Sequence, residues 1–309
     1  MLAPNRGSAE RPNISPERLL SLAAEVVNAS PRAIGDLLEV LRREPAILGL
    51  LDHRLFEASS RSHFHSTAES YAQRAADASY MGEGNRQLAR AVRASMAELV
   101  RSAPGGRIRI LDVGAGVGAP TTVTLLRELA SHSEGPLDLE ICAVDHCREV
   151  VERTQALFDT SADEPEIGQW LASARCHMVD GSAMGFEAGS FDLVVCGFVL
   201  HHCNLLDKRD IVGEMLRVTR PGGLVALVDE FQDSGLHSHR YSGMSSCDTA
   251  GLECFVDLGG MVSIFESLAR STVIQARDGH EADGAWIMVA ARRHPHAPTE
   301  TSQAQSESD

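Results

Sequence analysis

Residues 107–129 constrain the fold more than any other stretch. A β-rich run, residues 107–113, ends on Gly114, Gly116 and Gly118, and a helix-like segment, residues 121–129, comes at once after it. Glycine permits a tight turn at positive φ, or lets a ligand lie against the backbone with no Cβ between. A strand, a glycine turn and a helix in that order place the ligand at the carboxyl end of a parallel strand, in the crevice of an open α/β sheet. Nucleotide-binding folds of many kinds share this unit, so its meaning depends on the strands downstream of it.

Four further β-like runs come in order. Residues 137–144 end on Asp145, whose carboxylate suits the two hydroxyls of a ribose. Residues 174–179 end on Asp180, Gly181 and Ser182, and a carboxylate at that tip can accept from the exocyclic amine of an adenine. Residues 191–196 run into Gly197, Phe198, Val199, Leu200, His201 and His202. Residues 224–228 succeed the turn Arg220-Pro221-Gly222-Gly223 and end on Asp229 and Glu230.

This ordered series resembles the class I S-adenosylmethionine-dependent methyltransferases over about residues 107–293. The resemblance implies an α/β fold: a seven-stranded Rossmann-like methyltransferase sheet, its last strand antiparallel and slotted between strands five and six, here with an N-terminal helical accessory region. It implies S-adenosyl-L-methionine as cofactor, cradled by Gly114, Ala115 and Gly116. Asp145, with His146 beside it, falls at the ribose. Asp180, Gly181 and Ser182 fall at the adenine, and Cys196 at the end of strand four joins the cofactor set. A cysteine inside a strand also serves as a small buried hydrophobe. The Leu-His at the end of strand four resembles the ubiquinone-biosynthesis-like, polyketide C-methylating and small-molecule O-methylating branches. A dehydrogenase reading leaves Asp180, the Leu-His segment and the Pro-Gly-Gly turn without a role.

Methyl transfer from a sulfonium is an in-line displacement, with the nucleophile held ~3–3.5 Å from the methyl carbon. A hydroxyl or carbon acid must also lose a proton to a base. The end of strand four lies beside the methyl group in this fold, so His201 and His202 are the candidate bases, and imidazole titrates near neutrality. His201 is preferred because it directly succeeds Val199-Leu200, as in those branches. Asp229, at the neighbouring strand tip, is expected to hold the other ring nitrogen, a pairing similar to the dyad of the polyketide C-methylating domains. Those domains usually place Glu at this point, and Glu230 is the substitute. Against these roles stand plainer ones: imidazoles that only pack, and aspartates at 145 and 180 that only cap the next helix. His63, His65, His237 and His239 lack the spacing of a zinc site, so no metal is expected.

Residues 16–102 read as helical throughout, with apolar faces such as Ile34, Leu37, Leu38 and Leu41, and helices at 68–78 and 86–100 separated by Gly82-Glu83-Gly84. Tyr71, Arg74 and Tyr80 lie on helices that cover the cofactor in many members of the family that the chain resembles. The expected organisation is a disordered tail over 1–15, a helical accessory or lid region over 16–102, a catalytic domain over 103–294 and a second tail over 295–309. Beyond strand five, residues 232–250 read as a loop, 252–268 as a helix, and 272–276 with 285–291 as a hairpin turning through Asp278-Gly279 and Asp283-Gly284.

A lid built from such pieces suits a small-molecule acceptor shielded from water. The net charge of −15 argues against a nucleic-acid partner. No apolar run approaches the ~20 residues of a membrane span. The first residues have no apolar core and the 7 cysteines are scattered, so a reduced, cytoplasmic protein is expected. Apolar stripes on the amino-terminal helices leave a homodimer open. Lys208 is the only lysine, and that arginine bias points to a GC-rich coding sequence and bacterial secondary metabolism. The expected activity is methylation of a small molecule at oxygen or carbon. The alternative is an enzyme of the same fold that binds S-adenosylmethionine and catalyses a non-methylating reaction such as cyclisation.

Overall fold

The computed structural model describes residues 82–295 apart from 134, 161–163, 204, 232–255, 257 and 282–283. By contacts the chain divides into residues 1–57 and 58–309, and the described residues belong to the second unit. Most of the expected accessory region, the 232–250 loop, Tyr71, Arg74, Tyr80 and the histidines at 63, 65, 237 and 239 lie outside the described residues.

Runs of Val, Ile and Leu alternate with amphipathic helices, which yields a mainly parallel sheet covered on both faces. The strands are β1 (Arg107–Val113), β2 (Asp138–Asp145), β3 (Arg175–Met178), β4 (Phe191–Gly197), β5 (Thr219–Phe231), β6 (Ser271–Glu281) and β7 (Gly284–Arg293). They form a 7-stranded sheet in the order β3-β2-β1-β4-β5-β7-β6. β7 lies between β5 and β6 and runs antiparallel to both, as the resemblance implies. The chain steps outward from β1 to β3, then crosses back to β4. The carboxyl ends of β1 and β4 therefore flank the point where strand order reverses, the crevice in which such sheets hold ligands.

The helices are α1 (Gly82–Ser102), α2 (Pro120–His132), α3 (Arg148–Thr160), the short α4 (Gly168–Leu171), α5 (Leu205–Val218) and α6 (Leu258–Ser267). Successive strand residues face opposite sides, so the sheet has two cores. Leu88, Val92 and Leu99 of α1 and Leu125 of α2 pack on Ile110, Leu193, Val228 and Trp286. Val212 and Leu216 of α5 and Phe265 of α6 pack on Val113, Cys196, Leu227 and Ile287.

Three elements differ from the sequence expectation. The helix expected at 86–100 already begins at Gly82, so Gly82-Glu83-Gly84 forms the first turn of α1, while the helix expected at 68–78 lies outside the described residues. Glycine reads locally as a breaker, yet a Cβ at Gly84 would come within 2.9 Å of Phe198 and Val228, so close packing on the sheet requires it. α1, grouped by sequence with the accessory region, thus contributes to the sheet's own core. β5 starts at Thr219 and includes the Arg-Pro-Gly-Gly segment, beside a register shift between Phe191 and Leu193. β6 extends to Glu281, so Asp278 and Gly279 are strand residues, with Gly279 opposite Trp286. The indole covers that glycine: a Cβ there would lie 2.4 Å from the ring.

One more glycine locks the layers at the site. A Cβ on Gly197 would fall 2.1 Å from the Thr121 hydroxyl, which donates to Asn85 across a buried 2.9 Å bond. Gly197→Ala is expected to destabilise the protein by ~1–3 kcal/mol, through overpacking and the strained hydrogen bond. Urea unfolding reads this as a lower midpoint; an unchanged midpoint would mean that α1 and α2 do not close on β4 as described.

Candidate functional site

The glycine turn leaves β1 with Gly114, Gly116 and Gly118 at φ 69°, 64° and 80°. The amides of Gly114 and Ala115 both donate to the Val144 carbonyl, at 2.8 and 3.0 Å, which pins the turn to the end of β2. A Cβ on Gly114 would strike Val199 at 2.4 Å, so the loop after β4 rests on this residue. A Cβ on Gly116 would meet nothing within 4 Å: here glycine serves the left-handed backbone and leaves an open cradle.

Asp145 ends β2 and is buried. Its Oδ2 accepts from the Gly116 amide at 3.2 Å and its Oδ1 from the Cys147 amide at 2.9 Å. The carboxylate therefore caps the start of α3 and holds the glycine turn, and with roughly four acceptor positions it retains capacity for further donors. Burial raises its carboxyl above the usual range, opposed by His146, whose Nδ1 lies 3.6 Å from Oδ1. After β3, the Val179 amide donates to the Asp145 carbonyl at 2.9 Å. Asp180 is exposed, and its Oδ1 accepts from the Ser182 amide at 2.8 Å and hydroxyl at 2.7 Å, an Asx turn. A Cβ on Gly181 would sit 3.6 Å from Val113, so the tips of β1, β2 and β3 adjoin. Cys196 is fully buried among the residues under α5, and burial pushes its thiol well up. Its side chain packs in that core.

Beyond β4 the chain bends through Phe198, a non-glycine residue at φ 58°, whose amide donates to the Val228 carbonyl at 2.8 Å. Next comes a 3-10 turn, Leu200–His202. It brings His201 Nδ1 to 2.7 Å from Asp229 Oδ1, with the two side chains only 5% and 2% exposed. Asp229 Oδ1 also accepts from the Glu230 amide at 3.0 Å. An Nδ1–H donated to this carboxylate would leave Nε2 as the acceptor nitrogen of the ring. Asp229 rather than Glu230 takes the imidazole: Glu230 pairs across β7 with Trp286, on the opposite face of the sheet. The His202 ring lies with its centroid 3.8 Å from that of His201, tilted by 46°.

Sequence reasoning passes over Asp112, although an acid inside the apolar run Ile110-Leu111-Asp112-Val113 is a visible signal. It is fully buried, and its Oδ2 accepts from the Thr122 hydroxyl at 2.7 Å. Burial raises its carboxyl to about 6; Thr122 pulls it back and Asp145 adds to the rise. Its Oδ1 has no partner among the described residues. The open space at Gly116 beside the Asp145 carboxylate, which keeps acceptor capacity, fits the hydroxyl-bearing sugar of a nucleoside ligand.

Residues 111–227 match the family model described as "Methyltransferase domain". That segment is therefore similar to a methyltransferase domain. The matched segment contains every proposed site residue except Asp229, which lies just past it. Over 145 residues the chain is 30% identical to 24-methylenesterol C-methyltransferase 2 of Oryza sativa subsp. japonica, covering 46% of this chain and 34% of that protein. Over 133 residues it is 25% identical to the highly reducing polyketide synthase sthA of Phaeosphaeria nodorum, covering 42% of this chain and 4% of that protein. The chain thus spans about a third or less of the curated relatives it matches. The crystal structure of magnesium protoporphyrin IX methyltransferase from Synechocystis PCC 6803 with bound SAH aligns at TM-score 0.54 and 15% identity, covering 77% of this chain and 99% of that one. At that identity the likeness is one of fold. Among the described residues no helix is long and apolar enough to cross a membrane, and no group of three His, Cys, Asp or Glu could hold a metal ion.

Proposed function

We propose that the protein is an S-adenosylmethionine-dependent methyltransferase for a small-molecule acceptor, methylated at carbon or oxygen, with His201 as the base. The observation that carries this reading is the buried His201–Asp229 pair at the tips of β4 and β5, beside the glycine turn. When bound, S-adenosylmethionine supplies an electrophilic methyl on a sulfonium. Gly114, Ala115 and Gly116 cradle the cofactor, Asp145 accepts from the ribose hydroxyls, and Asp180 with Gly181 and Ser182 receives the adenine edge. His201 Nε2 accepts the acceptor's proton, and Asp229 fixes the tautomer and stabilises the imidazolium that results. The near-complete burial of that pair excludes water and strengthens the interaction.

A base of this kind is needed for a hydroxyl or an acidic carbon, but not for a free amine. The sterol C-methyltransferase and polyketide synthase relatives support carbon, and a place in secondary metabolism. The test offers S-adenosylmethionine with a panel of phenols and 1,3-dicarbonyl compounds. S-adenosylhomocysteine is expected to form one-for-one with methylated product. Product appearing without S-adenosylhomocysteine would overturn methyl transfer in favour of a cofactor-assisted rearrangement such as cyclisation.

A further inference from the structure

We propose that Lys208 is a positioning residue for the His201 turn: its buried ammonium grips the Cys203 carbonyl and so sets the imidazole against Asp229. For catalysis this rests on the reading of His201 as the base; the geometry it asserts does not.

Lys208 is the only lysine among 28 lysines and arginines. It stands in the first turn of α5, wholly buried, and its Nζ donates to the carbonyl of Cys203. An ammonium has three donors. Among the described residues Lys208 makes this one hydrogen bond and no ion pair. A buried cation without a counter-charge is one of the most costly placements available to a side chain. Methionine or leucine would fill similar space with no such penalty, so stability does not explain the residue. Arginine is the cation everywhere else in this chain, but its planar fork needs several partners in one plane. A compact ammonium on a flexible stem can reach a single carbonyl in a closed space.

That carbonyl belongs to the residue that closes the turn. The Cys203 amide donates to the Leu200 carbonyl at 2.8 Å, and the His202 amide to the Val199 carbonyl at 3.0 Å. At the other end Val199 rests on Gly114, and Phe198 is held at φ 58° by its bond to Val228. A left-handed non-glycine residue persists only where its surroundings over-determine it. The segment is therefore clamped at both ends, by the sheet at Phe198 and by Lys208 at Cys203, with His201 between the clamps. Releasing the Cys203 end frees the turn to relax and the imidazole to leave Asp229. A displacement of that order is enough to slow a positioned proton transfer without changing cofactor binding.

The test combines proton NMR with kinetics on the full chain. In the wild type, His201 should give a slowly exchanging, downfield Nδ1–H resonance, assigned by its absence in His201→Ala. Lys208→Met should lose or broaden that resonance and lower kcat by about tenfold or more, with KM for S-adenosylmethionine within about twofold of wild type. Lys208→Gln, which keeps an N–H donor without the charge, should retain the resonance and most of the turnover. An intact resonance and wild-type kcat in Lys208→Met would overturn the proposal, as would equal losses in both variants, which would assign the effect to charge. Should Lys208→Met fail to fold, the folded Lys208→Gln protein decides: resonance kept supports the clamp, resonance lost refutes it. Wild-type turnover in His201→Ala, with the resonance lost in Lys208→Met, would remove the base while leaving the positioning intact.

Discussion

Replacing His201 with alanine is expected to lower turnover by ~10²-fold or more, with the affinity for S-adenosylmethionine nearly unchanged. The split arises from placement. His201 contacts Asp229, while the glycine turn, Asp145 and Asp180 lie at or just past the ends of β1, β2 and β3. Asp229→Asn should fall in the same range: an amide nitrogen facing Nδ1 stabilises the tautomer with its proton on Nε2, which leaves no base for the acceptor. Since the two residues act as one unit, the double variant should lose little more than either single one. Single-turnover rates and titration calorimetry measure the two quantities separately. Unchanged turnover in His201→Ala would move the base elsewhere, or point to an amine acceptor that needs none.

Much of the sheet is legible in the sequence because its signals are local. β1, its glycine turn and the order of acids at successive strand tips need only a period of two and a knowledge of where glycine is indispensable. β7 between β5 and β6 is legible only through the family resemblance. The features that escape are set by distant partners. Gly84 carries a helix penalty of roughly 1 kcal/mol relative to alanine, which sequence reads as a break. Contact with Phe198, Val228 and Trp286 overrides it. Gly279 reads as a turn, yet Trp286 covers it within a ladder. The same division holds at the site. The pairing of His201 with Asp229 is expected from two adjacent strand tips, and the structure places them 2.7 Å apart. Asp112 acquires a role only when α2 brings Thr122 to it, and Lys208 only when α5 meets the end of the His201 turn.

Asp145→Ala is expected to weaken cofactor binding by ~2–3 kcal/mol, about 30- to 150-fold in Kd, the scale of lost charge-assisted hydrogen bonds. The carboxylate also holds the Gly116 amide and caps Cys147, so part of the loss could arise from a loosened cradle. Asp145→Asn separates the two effects: it keeps a side-chain oxygen for one backbone donor but no charge for the ribose hydroxyls. If ribose recognition dominates, Asn should bind nearly as weakly as Ala; if the cradle dominates, Asn should recover most of the affinity. The pH dependence offers an independent check. Burial raises the Asp145 carboxyl in the free protein, and a ligand that needs the ionised form must pay for deprotonation as the pH approaches that raised value. Wild-type affinity should therefore fall on acidification, and the slope should flatten in Asp145→Ala. The free protein should respond with the opposite sign. A carboxyl raised on folding binds its proton more tightly than in the unfolded chain, so its contribution to stability declines as pH rises from the unfolded value through the raised one. Wild-type-like affinity in Asp145→Ala, with an unaltered slope, would take the ribose assignment away from this residue.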